Sequence, residues 1–525
     1  MIRVLKKLKL SIGSILGGQS PTYYLSEADQ FLLSVGIDPE KTYGTRAKAN
    51  GGIIPTAMTS ITSGTGLGSS APMWVSSAQT STGVMVYAAS GTVYTYSNTF
   101  TAPDEEGGIV KPTSGAGNGM VVYGDYAYFA TTTDIARFGP LSATAPRLTQ
   151  NFWTGSDYLN KSALTNTTYP STRNINYPNH TMHLHNDGAV YICDYANNQG
   201  MLHSFYIAQD GTETTAVYQD LTLPPGQLPT DIESYGTDVA VTTSPAIDFS
   251  VGAVPRPSLS SSLILWDAVS GHNFYRNVPV NEAMCTAVVN KNGELHVWGG
   301  NLDQAVTLLK YLGGYSFQEL AHLGEGSPPL ASAVDSLGNM VAWGGWATYP
   351  EAFAGAYTYG YRNAKMPRNA LNQILRISDS TNTLPVISCL KFLLRSAYPV
   401  IGWRTDTTAS YGIDRQTTGV TYASIFYTKV FNVGRPFSIR RIRIPLTAAV
   451  DAGTSIIPIV YFDNEGASET LATINNTNYP NSDKIIDYTD LAIGGTKDFF
   501  IRFTFQGTTE VGFPPEIDIE LEIID

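Results

Sequence analysis

Two stretches of this chain repeat one pattern, and the pattern is that of a β-hairpin. Val288-Val289-Asn290-Lys291-Asn292-Gly293-Glu294-Leu295-His296-Val297-Trp298 is matched by Ala333-Val334-Asp335-Ser336-Leu337-Gly338-Asn339-Met340-Val341-Ala342-Trp343, and both end in Trp-Gly-Gly. An apolar strand, an Asn/Asp/Gly turn and a second, alternating strand are the signature of an antiparallel hairpin. The same order fits Val84 to Tyr96, Met120 to Phe129, Met182 to Cys193 and Ile232 to Thr242. The turn glycines are Gly91, Gly124, Gly188, Gly236, Gly293 and Gly338, spaced on average by about 50 residues, close to the length of a four-stranded propeller blade. One hairpin cannot bury both of its faces, so such units must stack around an axis. Leu263-Ile264-Leu265-Trp266 and Asn273 to Val280 supply outer strands, and a further copy surrounds Val386 to Trp403. Trp298 and Trp343 hold equivalent positions and are expected to pack between units.

The expected fold is all-β: a β-propeller of six to seven blades over 71–420, an antiparallel β-sandwich over 421–525, and an N-terminal arm with a short helix over 1–70. The last region has long alternating strands without blade turns, FSIRRIRIPL, SIIPIVYF, KDFFIRFTF and EIDIELEII. Arg440, Arg441 and Arg443 on one of these strands and Asp518, Glu520 and Glu522 on another would pair if adjacent. In the arm, Ser26 to Asp29 followed by Phe31-Leu32-Leu33 and Gly36 has the marks of a capped helix. Arg3, Lys6, Lys7 and Lys9 make the start basic, an amphipathic helix or arm suited to contact with a neighbouring subunit. The lysines interrupt the apolar residues, so no signal-peptide core forms, and no stretch reaches the roughly 18 apolar residues of a membrane span.

Composition narrows the function. Charged residues are 14% of the 525, against about 25% in an average protein, and the net charge is −12. An acidic chain repels phosphate, which argues against nucleic acid as a direct partner. Cys193, Cys285 and Cys389 are an odd set inside apolar runs, read as buried, reduced thiols rather than a disulfide framework.

Sites of chemistry are few. His180, His183 and His185 cluster before a turn, and His183 with His185 shares one strand face. Asp187 or Asp194 could add a metal ligand, although a solvated strand face is the commoner meaning. Gly64-Thr65-Gly66-Leu67-Gly68 lacks the strand, the Lys-Ser/Thr end and the helix of a phosphate loop. No G-x-S-x-G elbow and no sialidase-type turn repeat occurs. Asp463-Asn464-Glu465-Gly466 could offer oxygens to calcium, but reads more simply as a hairpin turn. Tyr357, Tyr359 and Tyr361 in AYTYGYR are surface candidates for stacking on a glycan. No cofactor and no catalytic residue is assigned, and the chain is not expected to be an enzyme.

Several segments carry a resemblance. They are Gly36-Ile37-Asp38-Pro39, Gly51 to Ala57, Ala71-Pro72-Met73-Trp74-Val75, Val86-Tyr87-Ala88 with Gly91, Tyr427 to Phe431, and Gly512 to Pro515. In these the chain resembles virion proteins of tailed bacteriophages, which look like propellers from tail or nozzle assemblies with an added sandwich. The resemblance implies a tail-associated structural part, assembled in the host cytoplasm and serving as a rigid platform. Its implied partners are other virion proteins and further copies of itself in a ring. A receptor-recognition protein for host-surface glycans and a propeller-type glycan hydrolase are the alternatives.

Overall fold

The structure is a computed structural model. It describes residues 8–11, 15, 17–20, 30–38, 54–63, 72–77, 84–88, 93–96, 119–130, 135–143, 147–149, 168–169, 173–174, 180–196, 199–207, 213–245, 261–269, 273–300, 306–323, 334–347, 353–361, 371–378, 386–392, 399–404, 411–418, 424–480, 484–507, 511–514 and 516–524. Among these residues there are strands and turns and no helix. The chain divides into two compact units, Ser60–Ala356 with Thr381–Arg415, and Met1–Thr59 with Tyr357–Ser380 and Gln416–Asp525.

The larger unit is a succession of small antiparallel sheets, and their first strands are labelled here in chain order. They are β1 Pro72–Ser77, β2 Gly119–Tyr123, β3 Met182–Leu184, β4 Gln227–Tyr235, β5 Met284–Lys291, β6 Val334–Leu337 and β7 Val386–Phe392. The sheets begun by β2 to β5 are four-stranded and laid down in sequence order. For example, β4 is followed by Asp238–Pro245, Ser261–Trp266 and Arg276–Val280. The sheet begun by β7 runs through Pro399–Arg404 and Tyr411–Thr418 to Ile54–Ser63, so its fourth strand comes from far earlier in the chain. Each first strand neighbours the next from β1 to β7, and β7 neighbours β1.

The turns explain these hairpins. Asn292 and Gly293, both at positive φ (52° and 86°), join Lys291 to its partner Glu294. That pair of left-handed residues matches the twist of the flanking strands. Apolar layers then bind one sheet to the next. Tyr191, Cys193 and Leu202 pack with Ile232, Val239 and Trp266, and Leu263, Leu265 and Val278 pack with Val288, Leu295 and Val297. The Trp298 and Trp343 rings meet at 5.8 Å across two successive sheets, the packing role expected from their repeat positions. Cys193, Cys285 and Cys389 are buried and unbridged. Burial pushes all three thiols up, Cys389 to about 12, so they pack as small apolar groups.

The smaller unit holds two large sheets with one shared core, besides a short parallel pair, Gly18–Gln19 with Gln30–Phe31. The first has the order Leu8–Ser11, Asp518–Ile523, Phe437–Pro445, Ile485–Tyr488, with Ile493–Gly495 also on the third strand. The second runs Leu371–Arg376, Leu33–Val35, Ser424–Tyr427, Asp498–Gln506, Ser455–Phe462, Ala467–Thr470. Ile439, Ile442, Ile444, Ile519 and Leu521 of the first pack on Ile456, Val460, Phe499, Ile501, Phe503 and Phe505 of the second. Each such side chain contributes roughly 1.5–3 kcal/mol by leaving water.

The oppositely charged strands are neighbours, with Arg441 opposite Glu520 and Arg443 opposite Asp518. A register shift lets Arg440 reach Glu522, its Nε at 2.6 Å from Oε2. Arg441 prefers Asp487 on the other neighbouring strand, with Nε at 2.7 Å from Oδ1.

Two expectations fail in this unit. The expected helix near Phe31 is a run of short strands, 30–31, 33–35 and 37–38. Ser34 and its neighbours are buried on both faces, and a doubly buried strand carries no alternation to tell it from a helix. The basic start is likewise a strand, Leu8–Ser11, with Lys9 opposite Glu520. Arg3, Lys6 and Lys7 lie outside the described residues, as do the 64–68 glycine motif and Gly91.

Candidate functional site

The first strands of the larger unit bring the most chemically capable side chains together. β3 supplies His183, β4 supplies Asp231, Glu233 and Ser234, β5 supplies Asn290, β6 supplies Asp335 and Ser336, and β7 supplies Lys391. Period-2 alternation alone would scatter these groups. They converge because each sheet offers its first strand to the same space.

Their contacts run from sheet to sheet. Ser234 Oγ lies 2.8 Å from His183 Nε2 and 2.9 Å from His185 Nδ1. Asn290 Nδ2 donates to the Ser234 carbonyl at 2.7 Å, and Ser336 Oγ donates to the Asn290 carbonyl at 3.0 Å. Asp231 accepts the Val288 N–H of β5 at 3.0 Å as well as the Ile232 N–H at 2.9 Å. Asp335 does the same one sheet further on. It accepts the Phe392 N–H at 2.7 Å and the Lys391 ammonium at 3.1 Å. Turn side chains repeat the linkage, Asn186 to the Gly236 carbonyl and Asn292 to the Gly338 carbonyl, each at 2.9 Å.

The electrostatics follow from this crowding. Burial lowers the His183 pKa to about 3, helped by His185 and Lys391, so the ring is neutral at physiological pH. Burial raises Glu233 to about 7. Asp231 is pushed well above the usual carboxylate range by burial, against the pull of its two N–H donors. Asp335 holds Lys391 above its ordinary value, with Glu233 and Asp231 adding to the effect. The site is not sealed: 46% of the Lys391 side chain and 21% of those of His183 and Glu233 stay open to solvent. One ammonium therefore faces carboxylates from two sheets in a space that water enters.

A second polar cluster is fully enclosed. His203 Nδ1 accepts the Gln219 N–H at 3.0 Å, so its Nε2 carries the proton and donates to Asp194 Oδ2 at 3.1 Å. His180 Nε2 lies 3.5 Å from the other Asp194 oxygen.

The side chains of the histidine motif are engaged in other contacts. His183 and His185 share one serine hydroxyl, while Asp187 turns back to cap its own hairpin. Its oxygens accept the Ala189 N–H at 2.8 Å and the Tyr191 hydroxyl at 2.9 Å. Among the described residues, no group of three or more His, Cys, Asp or Glu is placed to hold a metal ion. Asp463 is similarly engaged, accepting the Thr496 and Lys497 N–H groups at 2.9 Å within a hairpin turn. The glycan expectation at Tyr357, Tyr359 and Tyr361 is corrected as well. All three are buried, at 1%, 7% and 1% exposure, because the segment is a strand, Phe353–Tyr359, and its end rather than an open loop.

Sequence reasoning passed over Glu233, Asp335 and Lys391. The available signal was a charge beside an apolar residue of a strand, as in Ile232-Glu233, Val334-Asp335 and Leu390-Lys391-Phe392.

No protein-family model matches the chain, and no curated protein matches it. Among solved structures it is similar to the computationally designed Ika8 protein, at 13% identity and TM-score 0.35, over 67% of this chain and 98% of that one. It is similar to the Cps50 (Swd1) β-propeller domain of Myceliophteria thermophila, at 12% identity and TM-score 0.41, over 68% and 99%. It is also similar to the WD40 repeats of RRP9, at 9% identity and TM-score 0.43, over 69% and 100%.

Proposed function

We propose that the chain is a structural component of a tailed-phage virion, a seven-bladed β-propeller joined to a β-sandwich, acting as a rigid tail-associated platform. The observation that carries this reading is the use made of the polar groups at the centre of the larger unit. Asp231, Asn290, Ser336 and Asp335 each make a hydrogen bond to the backbone of a neighbouring sheet. Such bonds contribute about 0.5–1.5 kcal/mol each, and about 1.5–3 kcal/mol where one partner is charged. That arrangement stiffens a ring and leaves little freedom for a reaction cycle. A count of seven blades is supported by seven first strands that neighbour one another cyclically, with Ile54–Ser63 as the fourth strand of the last sheet. The sandwich reading is supported by two sheets that share one apolar core.

The resemblance to tailed-phage virion proteins supplies the setting. Low charge and buried thiols suit a part assembled in a reducing host cytoplasm. Other virion proteins and further copies of the chain are the partners proposed. Mass spectrometry of purified particles, from a phage that encodes the chain, tests the reading. The chain should appear in the particle at fixed stoichiometry. Abundance in the lysate with absence from the particle would overturn it.

A further inference from the structure

Acceptors and donors fix the direction of one hydrogen-bond chain in the larger unit. His185 Nε2 lies 3.2 Å from the Thr237 carbonyl, which can only accept. In the neutral imidazole Nε2 therefore carries the ring proton, and Nδ1 keeps its lone pair. Ser234 Oγ, 2.9 Å from that Nδ1, must donate to it. The same oxygen then accepts from His183 Nε2, 2.8 Å away, which carries a proton in its turn. The chain runs from His183 through Ser234 and His185 to Thr237, in one sense only.

A serine that donates to a histidine, itself oriented by a third group, is the arrangement of an activated nucleophile. The Thr237 carbonyl stands where a carboxylate stands in a Ser-His-Asp triad. It fixes the ring and its tautomer but stabilises an imidazolium less, so this serine should react more slowly than that of a full triad. The hairpin makes the geometry. Ser234 lies near the end of β4 and Thr237 in the turn that follows, so one element holds both nitrogens of the His185 ring. The backbone of Ser234 is pinned on both sides. Its N–H donates to Glu233 Oε1 at 2.8 Å, and its carbonyl accepts from Asn290 Nδ2 at 2.7 Å. A pair held in this way needs little reorganisation to react.

The surroundings suit attack on a carbonyl carbon. Ser234 is 7% and His185 3% exposed, which keeps most water from the pair. The way in is at His183, whose side chain is 21% open to the space between the first strands. Burial lowers the His183 pKa to about 3, so at neutral pH the ring is an uncharged donor. Its Nε2–H can shift from Oγ to the oxygen that gains charge as Oγ attacks. The acid beside the pair is Glu233, with Oε1 3.7 Å from His183 Nε2, too far for a hydrogen bond. When ionised it favours the imidazolium that forms as the serine loses its proton.

We propose that Ser234 is a nucleophile, with His185 as its base, that takes an acyl group from small activated esters entering between the first strands. Oγ bonds to the acyl carbon, its proton passes to His185 Nδ1, and the leaving alkoxide or phenolate departs with that proton. One acylation per chain needs no conformational cycle, so a rigid ring accommodates it. The proposal goes beyond the platform reading and does not rest on it. Treatment of the full chain with p-nitrophenyl acetate tests it. A burst of phenolate should approach one per chain, and mass spectrometry of peptides should place the acetyl group on Ser234. Ser234→Ala should abolish the burst, and His185→Gln should slow it at least about a hundredfold, each in a chain whose melting temperature shows it folded. Ser234→Cys keeps a nucleophile beside the same base and should react faster than the parent. Three results would each overturn the proposal: no acetyl group on Ser234 of the parent, an unchanged rate in His185→Gln, or a Ser234→Cys chain that is not acetylated at that position. None of them would touch the particle test, which reads composition rather than reactivity.

Discussion

Asp335 does two things at once, and they can be separated. Its carboxylate takes a buried N–H of the next sheet, Phe392, and also the half-open ammonium of Lys391. An exposed ion pair contributes under about 1 kcal/mol, whereas an N–H left buried without a partner costs about 1–3 kcal/mol. Asp335→Ala should therefore lower stability by about 1–3 kcal/mol in urea unfolding. Asp335→Asn, whose amide oxygen still accepts the N–H, should cost less than about 1 kcal/mol. Equal costs would place the energy in the ion pair instead. Glu233 makes the second prediction at this scale. Its native pKa is about 7 against an ordinary 4.5, so between those values the folded state holds a proton that the unfolded state has released. Stability from this group is present below pH 4.5 and lost as pH rises through about 7. His183 slopes the other way, losing stability as pH falls from 6.5 towards about 3. Glu233→Gln should abolish the first trend and keep the second. The stability of the variant relative to the parent should rise by about 1–3 kcal/mol between pH 4.5 and 8 in melting curves. A constant difference would mean that burial does not hold the Glu233 proton.

Among the elements, hairpins were legible in the sequence and their neighbours were not. Tight turns carrying glycine are local signals, and Gly124, Gly188, Gly236, Gly293 and Gly338 all take a positive φ there. The strand Leu33–Val35 had no comparable signal. It lies between Leu371–Arg376 and Ser424–Tyr427, and pairing with residues more than 300 positions away leaves no mark in the local pattern. Lys391 and Asp335 were missed for the same reason, since each reads as an ordinary surface charge until the two sheets meet. The N-terminal strand Leu8–Ser11 covers the edge of Asp518–Ile523. A variant lacking residues 1–11 should fold and show faster amide exchange at alternate positions of that strand, because antiparallel amides point alternately to the two neighbours. Unchanged protection there would mean that the pairing does not form in solution.

At the scale of the whole molecule, the account rests on closure. The two units are not sequential: 357–380 belongs with the terminal segments, and the larger unit resumes at Thr381. A boundary of that kind comes from contacts between distant segments, and composition gives no hint of it. The larger unit is proposed to close because β7 returns to β1 and because Ile54–Ser63 adds a fourth strand to the sheet that β7 begins. The polar centre agrees with closure, as Lys391 of the last sheet pairs with Asp335 of the sheet beside it and also stands near Glu233 and His183 of earlier ones. An electron cryomicroscopy reconstruction of the purified protein tests this directly. It should resolve seven sheets around one channel, with density joining Lys391 to Asp335 at its wall. A different number of sheets, or a gap between β7 and β1, would contradict it.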